Sequence, residues 1–278
     1  MKRAPFLLVL GVAACGAAPA RLTSQQPAAP RSAEALIAAM HDRYADTWYR
    51  AVRFRQRVIR TMPDGKPAPE QVWLEHLELP GKLRIDMAGA DSSGRTASGR
   101  QRSDAESPPR RAADYTGNAT LFAGDSTYVM REGVVARRVK GGNILLVLGF
   151  DVYGQPVAQT LERLRAEGFD LGTLRTDTWQ GRPAYVVGAA AGDSTRAQFW
   201  IDAERLLFVR LIQPTPQGRS EARFDDYQPL AGGWLSKLVI FLGDGREVMR
   251  EVYFDIEANP ALPAGLLDPA RWHEVRPR

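Results

Sequence analysis

The sequence is short of the residues that most often carry catalysis or hold metals. Its 278 residues include one cysteine and three histidines. One cysteine excludes a disulfide framework, and so few sulfur and imidazole ligands exclude a cysteine-rich zinc site. The chain also lacks a Gly-x-Ser-x-Gly elbow and any glycine pattern of the Walker or dinucleotide-binding type. We therefore predict no metal, no cofactor and no enzyme.

Charge of one sign is not concentrated anywhere along the chain. The formal net charge is +5 and the isoelectric point is about 9.5. Nucleic-acid binding requires lysine and arginine gathered on one face, whereas acidic residues here alternate with basic ones almost throughout. We therefore expect no nucleic-acid partner.

Long hydrophobic runs are absent as well, and the run that comes nearest to one lies within the first twenty residues. Two positive charges, Lys2 and Arg3, precede an apolar run at residues 6–14, and small residues follow. This is the layout of a secretory signal peptide, and nine residues are too few to cross a bilayer core of about 30 Å. We predict a signal peptide at residues 1–20 and an exported protein.

Two cleavage points compete within this segment. Ala18-Pro19-Ala20 fits an ordinary signal peptidase, whereas Val12-Ala13-Ala14-Cys15 resembles the lipobox of bacterial lipoproteins. In the second case Cys15 becomes an acylated N-terminus that fixes the protein to a membrane surface. The expected location is the cell envelope, in the periplasm, with anchoring to the outer membrane if Cys15 is lipidated.

The rest of the chain predicts one α+β domain. Residues 21–31 form a flexible tether, and Ser32 caps a helix that runs to about residue 48. Period-two alternation then predicts about 11–13 antiparallel strands with turn signals at each junction. A second helix follows Pro156. We assign the single domain to residues 32–273, with a disordered insertion at 88–115 and a tail at 274–278.

Several strands are apolar on one parity and charged on the other. A curled sheet of this size leaves a concave apolar face that helices cover in whole or in part. The candidate residues lining a cavity on that face are Val52, Phe54, Trp73, Leu77, Leu83, Ile85, Met87, Phe199, Ile201, Leu207, Val209, Leu211, Val252 and Phe254.

The order of these patterns resembles a known superfamily. An amphipathic helix runs into an arginine-rich strand, and residues 79–84 (LPGKLR), 200–202 (WID) and 207–211 (LFVRL) follow. This resembles the LolA/LolB superfamily of periplasmic lipoprotein carriers, or outer-membrane lipoprotein-sorting proteins. The resemblance implies an incomplete antiparallel β-barrel with helices covering its concave face. The family's gating arginine matches no single position among Arg53, Arg55, Arg57 and Arg60.

The function that the resemblance implies is a carrier that binds acyl chains in an apolar half-barrel cavity. Its implied partners are an acylated lipoprotein or lipid, an inner-membrane Lol-type transporter, and the membrane surface that the N-terminal lipid would reach. One alternative is a non-catalytic envelope scaffold or signalling domain of the same fold with a filled interior. Another is a hydrolase that uses His76, which shares a strand parity with Glu78 and could lie near Asp86.

Overall fold

The computed structural model describes residues 29–88 and 115–277. The predicted signal peptide, Cys15 and nearly all of the predicted 88–115 insertion lie outside these ranges. The helices are α1 (Ala33–Tyr44), α2 (Ile144–Gly149) and α3 (Val157–Ala166). The strands are β1 (Ala51–Arg60), β2 (Gln71–Glu78), β3 (Lys82–Ala88), β4 (Tyr115–Ala123), β5 (Ser126–Arg131), β6 (Val134–Lys140), β7 (Leu174–Trp179), β8 (Arg182–Val187), β9 (Gln198–Asp202), β10 (Leu207–Thr215), β11 (Gly218–Leu230), β12 (Gly233–Gly243) and β13 (Arg246–Ala258).

All thirteen of these strands belong to one antiparallel sheet that stays open. The spatial order runs from β6 through β1 and β13 to β7, so β6 and β7 are the two edge strands. The first strand pairs with both its successor β2 and the last strand β13. The predicted fold, an incomplete antiparallel barrel with covering helices, is therefore confirmed.

The cover over the concave face comes from two parts of the chain. Helix α1 precedes the sheet and begins at Ser32, whose Oγ accepts the Ala35 amide N–H at 3.1 Å. Helices α2 and α3 lie in the connection between the two edge strands. In the part of the chain that the structure describes, no helix is long and apolar enough to span a bilayer.

The main core lies between these helices and the sheet face turned toward them, which we call the inner face. Inner-face residues alternate with outer ones along each strand, as the sequence predicts. The buried core combines Leu36, Ile37 and Met40 of α1 with side chains from both halves of the sheet. Among the predicted lining residues it contains Val52, Phe54, Leu77, Leu83, Phe199, Ile201, Leu207 and Leu211.

Two strand irregularities place three predicted lining residues on the other, outer face. The β9–β10 register shifts between Phe208 and Arg210, so Val209 packs with Trp200 in a separate outer cluster. On β13, Tyr253 occupies the inner face and stacks on Phe54 at 4.2 Å. Val252 and Phe254 flank it, pair with outer-face arginines of β1, and are partly exposed. The strict alternation assumed for these strands was wrong because bulges change the parity.

The C-terminal segment after β13 covers the outer face of β3–β5. Leu266, Leu267 and Trp272 pack onto Ala119, Leu121 and Met130, and all six residues are buried. Val275, within the predicted tail, also packs there. The segment therefore belongs to the fold.

This cover also buries an ion pair. The Arg84 guanidinium donates to both carboxylate oxygens of Asp86 and, at 2.7 Å, to the backbone oxygen of Trp272, and it lies 5.4 Å from the Trp272 ring centre. His76 pairs with Arg84 across β2 and β3 and is 1% exposed. The Asp86 carboxyl that the hydrolase alternative would place near His76 is therefore bound by Arg84, and the C-terminal segment packs over this part of the outer face.

We predict that Trp272→Ala destabilises the protein by about 3–5 kcal/mol, the usual cost of emptying a large buried aromatic site. The indole is fully buried against Arg84 and the β4 side chains. Urea unfolding followed by circular dichroism measures the change. The exposed neighbour Glu274→Ala is the control, and an equal loss in both variants would contradict the docking described above.

Candidate functional site

The inner face is filled over β7–β13. There, α2 and the residues that follow it insert between the strands. A Cβ added at Gly149 would lie 3.1 Å from the Phe224 ring, which shows how closely α2 approaches β11. Leu146, Leu148 and Phe150 join the same core. An acyl chain can enter this half only where these side chains move away.

Few polar contacts hold this cover in place. The Asp151 carboxylate accepts the Gly81 backbone N–H at 2.9 Å, and the Tyr153 hydroxyl accepts the Phe208 N–H at 3.0 Å. The Tyr44 hydroxyl donates to the Arg205 carbonyl at 2.6 Å. Burial raises the pKa of Asp151 to about 6, so ionised Asp151 is less favourable here than in water. The cover is mainly an apolar plug with a few hydrogen bonds at its margins.

Two hollows in the described part of the chain lie outside this core. One of about 60 Å³ borders Trp179, Arg182 and Asp225. The other, of about 430 Å³, opens beside Glu167, Asp170 and Arg196 at the end of α3. Their charged linings do not suit an acyl chain.

The inner face of β3–β6 is different, because its apolar side chains remain partly exposed. Starting from buried Leu83, the pairing of neighbouring strands identifies the residues on this face. The residues that the pairing places there are Ile85, Met87, Asn118, Thr120, Phe122, Thr127, Val129, Arg137 and Val139, and we call them the open wing. On β3–β5 the outer side chains are more buried than the inner ones, since the C-terminal segment covers them.

The open wing borders the filled core directly. Ile85 and Phe122 are partly exposed yet pack against the main core cluster. The structure thus brings predicted residues Ile85 and Met87 into the wing and Leu83 to its boundary, whereas Trp73 is buried on the adjoining strand β2. The resulting inner face is mainly apolar, and it is closed by helices over β7–β13 and open over β3–β6.

A polar group lies on the same face where β1, β2 and β13 meet. Gln56, Glu75, Glu251 and Tyr253 are all buried, and the Tyr253 hydroxyl donates to Glu251 Oε2 at 3.2 Å. Burial raises the pKa of Glu251 to about 7. Burial, and then the charge of Glu251, raise the pKa of Glu75 well above its ordinary value. The ionised form of each carboxyl is therefore less favourable here than in water.

The arginines of β1 divide between the two faces. Arg53, Arg55 and Arg57 lie on the outer side, where their guanidinium groups are within 2.6, 3.7 and 3.8 Å of Glu257, Asp255 and Glu70 respectively. Arg60 has the parity of the inner residues, and its guanidinium lies 5.0 Å from the Trp73 ring centre. Arg60 is therefore the β1 arginine of the inner face.

Sequence reasoning missed the polar group at Gln56, Glu75 and Glu251. A signal was present for one member, since Glu75 has the same parity as the predicted inner residues Trp73 and Leu77. No comparable signal existed for Glu251, because the bulged strand β13 hides its parity. Gln56 required knowledge that β1 pairs with the last strand.

Comparisons with solved structures agree with this fold. A LolA superfamily protein from Nitrosomonas europaea aligns with a TM-score of 0.50 and 13% identity, covering 84% of this chain and 98% of that one. An outer membrane lipoprotein-sorting protein domain from Vibrio parahaemolyticus gives 0.53 and 13%, covering 87% and 98%. A DUF1329 family protein from Desulfovibrio piger gives 0.52 and 12%, covering 86% and 96%.

No protein-family model and no curated protein sequence matches the chain. At such low identities the structural neighbours establish the fold alone. The fold is LolA-like, and the resemblance identified from the sequence patterns is confirmed at that level.

We predict that the polar group makes the protein less stable as the pH rises. Both glutamate pKa values are raised in the folded state, so between the ordinary value of 4.5 and about 7 the folded protein holds protons that the unfolded chain releases. Stability is therefore greatest at the acidic side of this window and falls through it. Glu75→Gln should flatten this fall, as measured by urea midpoints from pH 5 to 8. A slope identical to that of the wild type would contradict the assignment.

Proposed function

We propose that the protein is a carrier of the cell envelope that binds acyl chains of lipoproteins or lipids on the inner face of its half-barrel. The observation that carries this proposal is the open wing, a mainly apolar surface that is continuous with the core yet only partly covered. A LolA-like fold supports it, as does the structural similarity to an outer membrane lipoprotein-sorting protein domain from Vibrio parahaemolyticus.

Hydrophobic transfer explains why such a surface is useful. Exposing an acyl chain of about sixteen carbons to water costs on the order of 12 kcal/mol at about 0.8 kcal/mol per CH₂. Lipids therefore cross an aqueous compartment only when a protein shields the chain. Four strands about 4.8 Å apart make the wing roughly 14 Å wide, enough to receive the first part of a chain.

The remainder of the chain would displace the cover. Helix α2 (ILLVLG) is entirely apolar, so an acyl chain that replaces it leaves the inner face buried in similar surroundings. This displacement would break the hydrogen bonds of Asp151 and Tyr153 described above. The inner face covered by α2 and the inner face covered by an acyl chain then differ little in buried apolar area, which suits a reversible carrier.

The proposed location and partners rest on the sequence. A signal peptide at residues 1–20 and lipidation of Cys15 would attach the carrier to the outer membrane, where it would receive or deliver an acylated lipoprotein or lipid. An inner-membrane Lol-type transporter is the donor that the family resemblance implies. The apolar face requires no catalytic group, so we propose binding and transfer without a chemical step.

A second function is favoured by the filled half of the sheet. Over β7–β13 the core is closed by aromatic and aliphatic side chains, among them Tyr44, Tyr153 and Phe199. This packing suits a non-catalytic envelope scaffold or signalling domain, which would bind proteins and leave the interior closed. The two functions differ in one property, uptake of acyl chains.

We predict that Val129→Asp weakens binding of a fluorescent fatty acid at least tenfold, since it puts a carboxylate into the open wing. Val135→Asp is the matched control, because Val135 is 36% exposed on the edge strand β6 and pairs with Met130 of the outer face. Fluorescence titration of the delipidated protein measures both affinities. No uptake by the wild type, or equal affinities in the two variants, would contradict the carrier and favour the scaffold.

A further inference from the structure

The polar group on the inner face is compact. Gln56 of β1 pairs directly with Trp73 on one side and with Tyr253 on the other. Glu75 lies opposite Phe54, and Glu251 lies opposite Val58. The two glutamates thus lie diagonally on either side of Gln56, and all three side chains share one patch of the face.

Two members of this patch make no hydrogen bond of ordinary geometry. Gln56 is 0% exposed, and neither its Nε2 nor its Oε1 has a partner. A weak side-chain hydrogen bond between the Gln56 amide and Glu251, outside ordinary hydrogen-bond geometry, lowers the pKa of that carboxyl. Glu75 is 5% exposed, and none of the hydrogen bonds of residues 29–88 and 115–277 involves its carboxyl. Buried polar groups are normally paired, so a ligand that supplies hydrogen-bond partners would be favoured at this patch.

A ligand that fits this patch would mainly donate hydrogen bonds. The patch offers four carboxylate oxygens and the Gln56 oxygen as acceptors, and the Tyr253 hydroxyl already serves one of them. The cation that faces the patch is Arg60, which lowers the pKa of Glu251 but lies over Trp73. The remaining titratable group at the patch is Tyr253, whose hydroxyl stays protonated because burial raises its pKa. A donor-rich cation would satisfy both glutamates at once.

We infer that Gln56, Glu75 and Glu251 form a subsite for a primary ammonium group at the polar end of a bound amphiphile. This inference rests on the proposed function and deepens it. Three N–H donors of an ammonium group match acceptors on the three side chains. Glu75 pairs directly with Ile85 of the open wing, so a chain lying in the wing carries its polar end to this patch.

Two kinds of molecule present an ammonium group beside acyl chains. One is a lipid with an amine head group, and the other is an acylated peptide with a free amino end. The recognised chemistry is the same in both. Competition by lysophosphatidylethanolamine, against competition by a diacylated peptide with a free amino end, shows which source binds more tightly.

The experiment uses the full mature protein and four ligands, each with one twelve-carbon chain. Each ligand is kept below its critical micelle concentration. Dodecylammonium should bind at least tenfold more tightly than dodecyltrimethylammonium, dodecanol or dodecanoate, because only its head group both carries a positive charge and donates hydrogen bonds. Calorimetry in two buffers of different ionisation enthalpy should show proton release with dodecylammonium, since a bound cation favours ionised carboxyls.

The variants place this preference at the patch. Glu75→Gln and Gln56→Met should each reduce the ammonium preference below threefold while dodecanol still binds. Glu257→Gln is the matched control, because Glu257 lies on the same strand as Glu251 but pairs with Arg53 on the outer face.

The outcomes separate the inference from the proposed function. Equal affinity for all four heads, or a preference that survives in both variants, overturns the ammonium subsite and leaves the carrier intact. Failure of every ligand to bind, dodecanoate included, overturns the carrier and the subsite with it. A tenfold preference lost in Glu75→Gln and kept in Glu257→Gln supports both.

Discussion

One constraint organises the molecule, which is that an open sheet with an apolar inner face must keep that face from water. The sheet cannot do so by closing, because β6 and β7 do not pair with each other. The chain between those two edges supplies α2 and α3, and α1 completes the cover. Burial of the inner face therefore depends on short helices tied down by a few hydrogen bonds.

The cover is uneven, and the unevenness has a physical basis. Strands β3–β5 gain their burial from the outer side, where the C-terminal segment packs around Trp272 and the Arg84–Asp86 pair. These strands can keep an ordered wall while their inner apolar side chains stay partly exposed. A surface of this kind would be a liability in a protein that binds nothing, and it is an asset in one that shields acyl chains.

Local patterns predicted the elements well and their surroundings less well. Alternation and turn signals located the strands, and Ser32 marked the start of α1 as observed. The predicted inner-face position was wrong for Val209, Val252 and Phe254, because bulges depend on the partner strand and leave no local mark in the sequence. The burial of Arg84 could not be predicted for another reason, since the segment that covers it is almost 200 residues away in the sequence. The polar group at Gln56 likewise forms only when the first and last strands pair.

The account is tested most directly by locating a bound chain on the protein. A fatty acid with a nitroxide near its chain end can be titrated into protein labelled at its isoleucine and valine methyl groups, and paramagnetic broadening mapped by NMR. We expect the strongest broadening at Ile85, Val129 and Val139, and little at the outer-face Val209. Broadening centred on Val209, or spread equally over both faces, would show that the inner face of this LolA-like sheet does not receive acyl chains.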